Sequence, residues 1–118
     1  METAFVIDDH HDTADMLREI LNVSGFNAKS YNSFDSALND VTEIKPCIIF
    51  LDYRIPGGMT AEDFIKRARE VVPNVKVVMI SGDARARNIA RSLNVVGFFL
   101  KPFDIGEVLH ITQQHCAS

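Results

Sequence analysis

Short unbroken apolar runs alternate with stretches of helical spacing along the whole chain. Ala4-Phe5-Val6-Ile7 and Cys47-Ile48-Ile49-Phe50-Leu51 are bounded by carboxylates or turn residues, the pattern of strands buried on both faces of a parallel sheet. Val75 to Ile80 is strand-like and rich in β-branched residues, and Val95 to Leu100 reads as the fifth strand. Phe26 to Tyr31 alternates apolar or small residues with polar ones, which predicts a half-exposed edge strand. Between these runs lie helix signals. Asp12, with Asp15 three residues on, predicts an N-cap before Met16, Leu17, Ile20 and Leu21, and Gly25 closes that helix. Ser33 caps a helix carrying Phe34, Ala37, Leu38 and Val41. Thr60 with Asp63 starts one whose apolar face is Phe64, Ile65, Ala68 and Val72, with Pro73 beyond its end. Asp83 caps a helix with Ala86, Ile89, Ala90 and Leu93 inward. Asp104 opens a last one with Ile105, Val108, Leu109 and Thr112 inward. Strand then helix, five times over, implies an α/β fold: a parallel sheet with right-handed crossovers and helices on both faces.

Composition narrows the function classes. The 118 residues fit one domain, residues 1–118, with 47% hydrophobic and 24% charged residues. A formal net charge of -4 does not favour a nucleic-acid or anionic-membrane partner. No apolar run reaches membrane-spanning length, and Met1-Glu2-Thr3-Ala4 lacks the features of a signal peptide, so a cytoplasmic location is expected. Cys47 and Cys116 have neither metal nor redox spacing, so reduced thiols are expected.

The chemistry lies at the carboxyl ends of the strands. Asp8 and Asp9 follow the first strand, Asp52 ends the third, Ser81 the fourth, and Lys101 follows the fifth. In a parallel sheet these ends share one rim, where ligands bind. Converging carboxylates repel one another unless their pKa values rise or a cation joins them. Oxygen ligands with retained water suit Mg²⁺ better than Ca²⁺, for which no loop spacing is present. A metal, a hydroxyl and an ammonium together form a receptor for phosphoryl oxygens, and an aspartate can be the nucleophile. Asp52, flanked by the others, is the natural acceptor.

Layout and chemistry together resemble the receiver domain of two-component response regulators. The resemblance covers essentially the whole chain. Its motifs are Asp8-Asp9, Leu51-Asp52-Tyr53-Arg54-Ile55-Pro56, Ile80-Ser81-Gly82 and Gly97-Phe98-Phe99-Leu100-Lys101-Pro102-Phe103. The resemblance implies a flavodoxin-like doubly wound sheet in strand order 2-1-3-4-5. It implies phosphotransfer to Asp52 from a histidine kinase or phosphotransfer protein, with Mg²⁺, and no enzymatic turnover beyond self-phosphorylation and slow self-dephosphorylation. Asp9, Asp52 and the backbone carbonyl of Arg54 would bind the metal directly, and Asp8 mainly through water. Lys101 would pair with the phosphoryl group, Ser81 would swing in to hydrogen-bond it, and Phe98 would turn inward on activation. The face formed by helix four, strand five and helix five would then control a downstream partner. The Lys101-Pro102 bond is commonly cis in such domains.

Some residues depart from the pattern. Thr60 stands where glycine is common, so the loop after Asp52 would rely on Gly57 and Gly58. Phe98 lacks a tyrosine hydroxyl. His10 and His11 read as loop residues beside an acidic site rather than as transition-metal ligands. Arg54 and Asp83 would flank the path of the water that hydrolyses an acyl phosphate, so a pair between them would screen it. Arg85, Arg87 and Arg91 make one side of the fourth helix basic; the default reading is a solvated face, the sharper one an acidic partner. Competing functions are weaker. An aspartate-nucleophile phosphohydrolase, resembling the haloacid-dehalogenase type, wants a second carboxylate where Arg54 stands. A flavin module would find Asp8-Asp9-His10-His11-Asp12 repulsive to its phosphate. A docking module without phosphorylation would not need every site residue.

Overall fold

The computed structural model describes residues 2–116. Five parallel strands form one sheet in the order β2-β1-β3-β4-β5. They are β1 (Thr3–Ile7), β2 (Asn27–Tyr31), β3 (Ile48–Asp52), β4 (Lys76–Ser81) and β5 (Gly97–Leu100). The helices are α1 (His11–Val23), α2 (Phe34–Ile44), α3 (Ala61–Val71), α4 (Ala86–Ser92) and α5 (Ile105–His115). The unbroken apolar runs follow from the two-faced burial of the central strands. Successive strand residues point to opposite faces, so Phe5, Ile7, Ile49 and Leu51 pack under α2, α3 and α4, while Ala4, Val6, Ile48 and Phe50 pack under α1 and α5. β2, at the edge, buries only Ala28 fully, as its alternation predicts.

Caps set several boundaries. Ser33, Thr60 and Asp104 each accept a backbone N–H of their helix's first turn. α1 begins earlier than predicted: His10, not Asp12, is the N-cap, with no side-chain cap bond. α4 is shorter than its sequence suggests, because Asp83 turns the chain by accepting the Arg85 N–H ahead of the helix. β5 starts at Gly97 rather than Val95, since Asn94 adopts a left-handed conformation (φ 54°) that delays the strand. Two residues placed inward by periodicity face solvent: Met16 is 43% and Ile105 37% exposed. Ala14 and Ile111 take the buried positions instead.

The thiols are not free. Cys47, just ahead of β3, and Cys116, just past α5, form a disulfide with Cα atoms 5.8 Å apart. Sequence spacing misses the pair because 69 positions separate residues that the fold brings together at the end of the sheet away from Asp52. Among the described residues, no helix is long and apolar enough to cross a membrane.

Candidate functional site: an acidic pocket at the sheet rim

Each side chain at the rim is placed by its strand. Asp52 ends β3 opposite Ile80, and Asp8 leaves β1 with its N–H bonded to the Tyr31 carbonyl. Ser81 ends β4 opposite Leu100, and the Lys101 N–H then donates to the Ser81 carbonyl. The cis Lys101-Pro102 bond follows at once, the isomer that the resemblance favours. Asp8, Asp52 and Ser81 are buried, at 3%, 6% and 1% exposure.

Buried carboxylates need compensation, and Lys101 supplies it. Its Nζ donates to Asp52 Oδ2 at 2.8 Å and to Asp8 Oδ2 at 3.0 Å, so one ammonium bridges two carboxylates. Partial burial alone would lower the Lys101 pKa, but the hydrogen bonds and charges of Asp52 and Asp8 together outweigh it, and the net shift is upward. The remaining oxygens are held by backbone. Asp52 Oδ1 accepts the Arg54 N–H at 3.0 Å, and Asp8 Oδ1 accepts the His10 N–H at 2.9 Å. Asn32 Nδ2 donates to the Asp8 carbonyl and anchors the acidic loop from the β2 side. Ser81 Oγ accepts the Asp83 N–H, leaving its own proton free to donate.

Asp9 is different. Its Oδ1 is buried and has no hydrogen-bond partner among the described residues. One oxygen each from Asp8, Asp9 and Asp52, with a ring nitrogen of His10, lie within 4.8 Å of one another. A hard-oxygen cluster with an orphaned buried acceptor fits a divalent cation.

The rest of the rim shows what sequence reasoning reached and what it missed. Arg54 does meet Asp83, Nη2 to Oδ2 at 3.2 Å, but Arg85 shares that carboxylate at 2.9 Å. Asp83 is held down to about 2, chiefly by its hydrogen bonds from Arg85. Phe98 is half-buried against the α2–α3–α4 layer, with the Arg87 guanidinium 4.8 Å from its ring centre. Thr60 is the N-cap of α3, and the loop before it turns at Gly57 and Gly58 (φ 82° and 54°), as their spacing suggests. The approach of the His10 ring to Asp8 and Asp9 was not foreseen. Adjacency in sequence was the only signal, and it does not tell where a ring points.

Strand order, crossover helices and a buried acidic pocket at the strand carboxyl ends define a flavodoxin-like doubly wound α/β protein. The chain belongs to the response regulator receiver domain family, whose model matches residues 4–113. It is 28% identical over 109 residues to the sporulation initiation phosphotransferase F of Bacillus subtilis, covering 91% of this chain and 87% of that protein. It is 30% identical over 115 residues to the nitrogen assimilation regulatory protein NtrX of Azorhizobium caulinodans, covering 92% of this chain but 25% of that longer protein. Among solved structures, the chemotaxis protein CheY4 of Vibrio cholerae superposes with a TM-score of 0.86 at 19% identity, over 98% of this chain and 99% of that one. NtrX of Brucella abortus superposes with a TM-score of 0.88 at 25% identity, over 98% of this chain and 27% of that one.

Proposed function

We propose that this chain is a phosphoacceptor switch in a two-component phosphorelay. Asp52 takes a phosphoryl group from a phosphohistidine of a kinase or phosphotransfer protein. A carboxylate oxygen attacks phosphorus, the P–N bond breaks, and the departing imidazole takes up a proton. The single observation that carries this reading is the ammonium of Lys101 bridging Asp52 and Asp8 in a buried pocket. That ammonium holds the acceptor carboxylate in place and keeps a positive charge where phosphoryl oxygens would lie. Ser81 would donate its free hydroxyl proton to the incoming group.

The donor set fits Mg²⁺, which would be held by Asp9, Asp52 and the Arg54 carbonyl, with Asp8 mainly through water. When bound, Mg²⁺ neutralises charge on the transferred group. Phosphorylation would bias the face of α4, β5 and α5 between two arrangements. Phe98 is the side chain whose position reports the change, and it is now half-buried beside Arg87. Asp52 serves as a stoichiometric acceptor rather than a turnover nucleophile. Arg54, which occupies the place of a second acid, is engaged with Asp83. Family membership supports the reading, as does likeness to a relative named a phosphotransferase.

The test is incubation with Mg²⁺ and a small acyl-phosphate donor, with intact mass measured for wild type and Asp52→Asn. Wild type should gain one phosphoryl group and the variant none. No gain in wild type, or an equal gain in the variant, overturns the assignment.

A further inference from the structure

We infer that His10 is a nitrogen ligand to the divalent ion of this pocket, making the site favour borderline first-row ions such as Co²⁺ and Zn²⁺ more than its carboxylates alone would. The inference rests on the metal-binding reading of Asp8, Asp9 and Asp52 given above and reverses the view of His10 as a bystander.

Three observations carry it. The first is spacing. His10 Nδ1 lies 3.2 Å from Asp8 Oδ1 and 3.4 Å from Asp9 Oδ1. Ligands about 2.1 Å from a metal sit roughly 3.0 Å apart at a right angle and roughly 3.4 Å apart at the tetrahedral angle. The Asp9 separation matches a ligand–ligand edge of an ordinary coordination shell, while the Asp8 contact is a ring hydrogen bond that holds Nδ1 beside it. The second is the orphaned Asp9 Oδ1, which is buried, has no hydrogen-bond partner among the described residues and lies at one end of such an edge. The third is preorganisation. His10 is the N-cap of α1, and its own N–H is bonded to Asp8 Oδ1, so backbone and ring share the same carboxylate. The backbone at His10 is therefore fixed, and the ring already rests against the acidic loop.

The side chain is 70% exposed, so the ring approaches from the solvent side. There it would replace one of the waters that Mg²⁺ ordinarily retains. Carboxylate and water ligands suit Mg²⁺ and Mn²⁺, whereas imidazole suits Zn²⁺, Ni²⁺ and their neighbours. One imidazole added to this oxygen set therefore shifts the preference without abolishing Mg²⁺ binding. His11, the neighbouring histidine, is exposed and is not among the clustered ligand atoms.

The experiment is calorimetric titration of the intact chain with Co²⁺ and with Mg²⁺ at one pH. Wild type, His10→Ala, His11→Ala and Asp9→Asn are compared, and the visible Co²⁺ absorption spectrum is recorded for each. Removing an outer-shell partner of a metal site typically costs about 10–100-fold in affinity. His10→Ala should therefore lose at least about tenfold in Co²⁺ affinity and change its Co²⁺ spectrum, while Mg²⁺ affinity falls clearly less. His11→Ala should match wild type. Equal losses for both ions in His10→Ala, or an unchanged Co²⁺ affinity and spectrum, overturn the inference while leaving the carboxylate site intact. Mg²⁺ binding that is absent, or indifferent to Asp9→Asn, overturns the metal reading and this inference with it.

Discussion

At the scale of single residues, the pocket is a problem in charge compensation. Two carboxylates with side chains 4% and 7% exposed are tolerated because one ammonium touches both. The raised Lys101 pKa has a signed consequence. The stabilisation is fully present below the ordinary lysine value of 10.5 and fades as pH climbs through the higher folded-state value. Urea midpoints above pH 10.5 should therefore fall more steeply for wild type than for Lys101→Met; parallel profiles would contradict the bridge. The Arg54–Asp83 contact is solvent-facing, with the arginine side chain 67% exposed. Such solvent-facing pairs contribute little, which limits any effect on acyl-phosphate decay to a small one. Decay in Arg54→Ala should quicken within that limit, and an unchanged rate removes the screening idea. The rim positions of Asp8, Asp9, Asp52, Ser81 and Lys101 were legible in the sequence because each directly adjoins or ends a buried strand. The Arg54–Asp83 contact was anticipated too, but Arg85's share of that carboxylate was not, because exposed side chains carry no periodic signal.

At the scale of elements, polar caps and buried stripes divide the work. Thr60 Oγ1 accepts the Asp63 N–H at 3.1 Å and fixes where α3 starts after the loop that follows Asp52. Thr60→Ala should cost about 1 kcal/mol, read as a lower urea midpoint with an unchanged slope. α2 and α3 are joined by the stacked rings of Phe34 and Phe64, 5.2 Å between centres. The central strands β1, β3 and β4 were readable because near-complete burial leaves few polar positions to interrupt an apolar run, and β2 because its polar positions alternate. Helix faces were readable only in part. Met16 and Ile105 fall near the margin of their apolar stripes, and small residues such as Ala14 sit closest to the sheet. A hydrophobicity pattern weights the larger side chain, whereas close helix–sheet packing selects the smaller one.

At the scale of the whole molecule, the sheet separates two apolar layers, and the disulfide crosses neither. It ties the segment entering β3 to the segment leaving α5 and lies at the edge of the layer under α1 and α5. Nothing local in the sequence announces it, because only the strand order brings Cys47 and Cys116 together. A ring of this size should contribute about 4 kcal/mol through the unfolded chain. A thiol reductant should therefore lower the melting temperature, and Cys47→Ala/Cys116→Ala should show no response to it. The covalent ring also encloses Gly57 and Gly58, which are exposed in the loop after Asp52. Exposed loop tips of small residues are preferred sites of proteolytic cleavage. A single cut there would leave two fragments that migrate as one band on a non-reducing gel and as two once the thiols are freed.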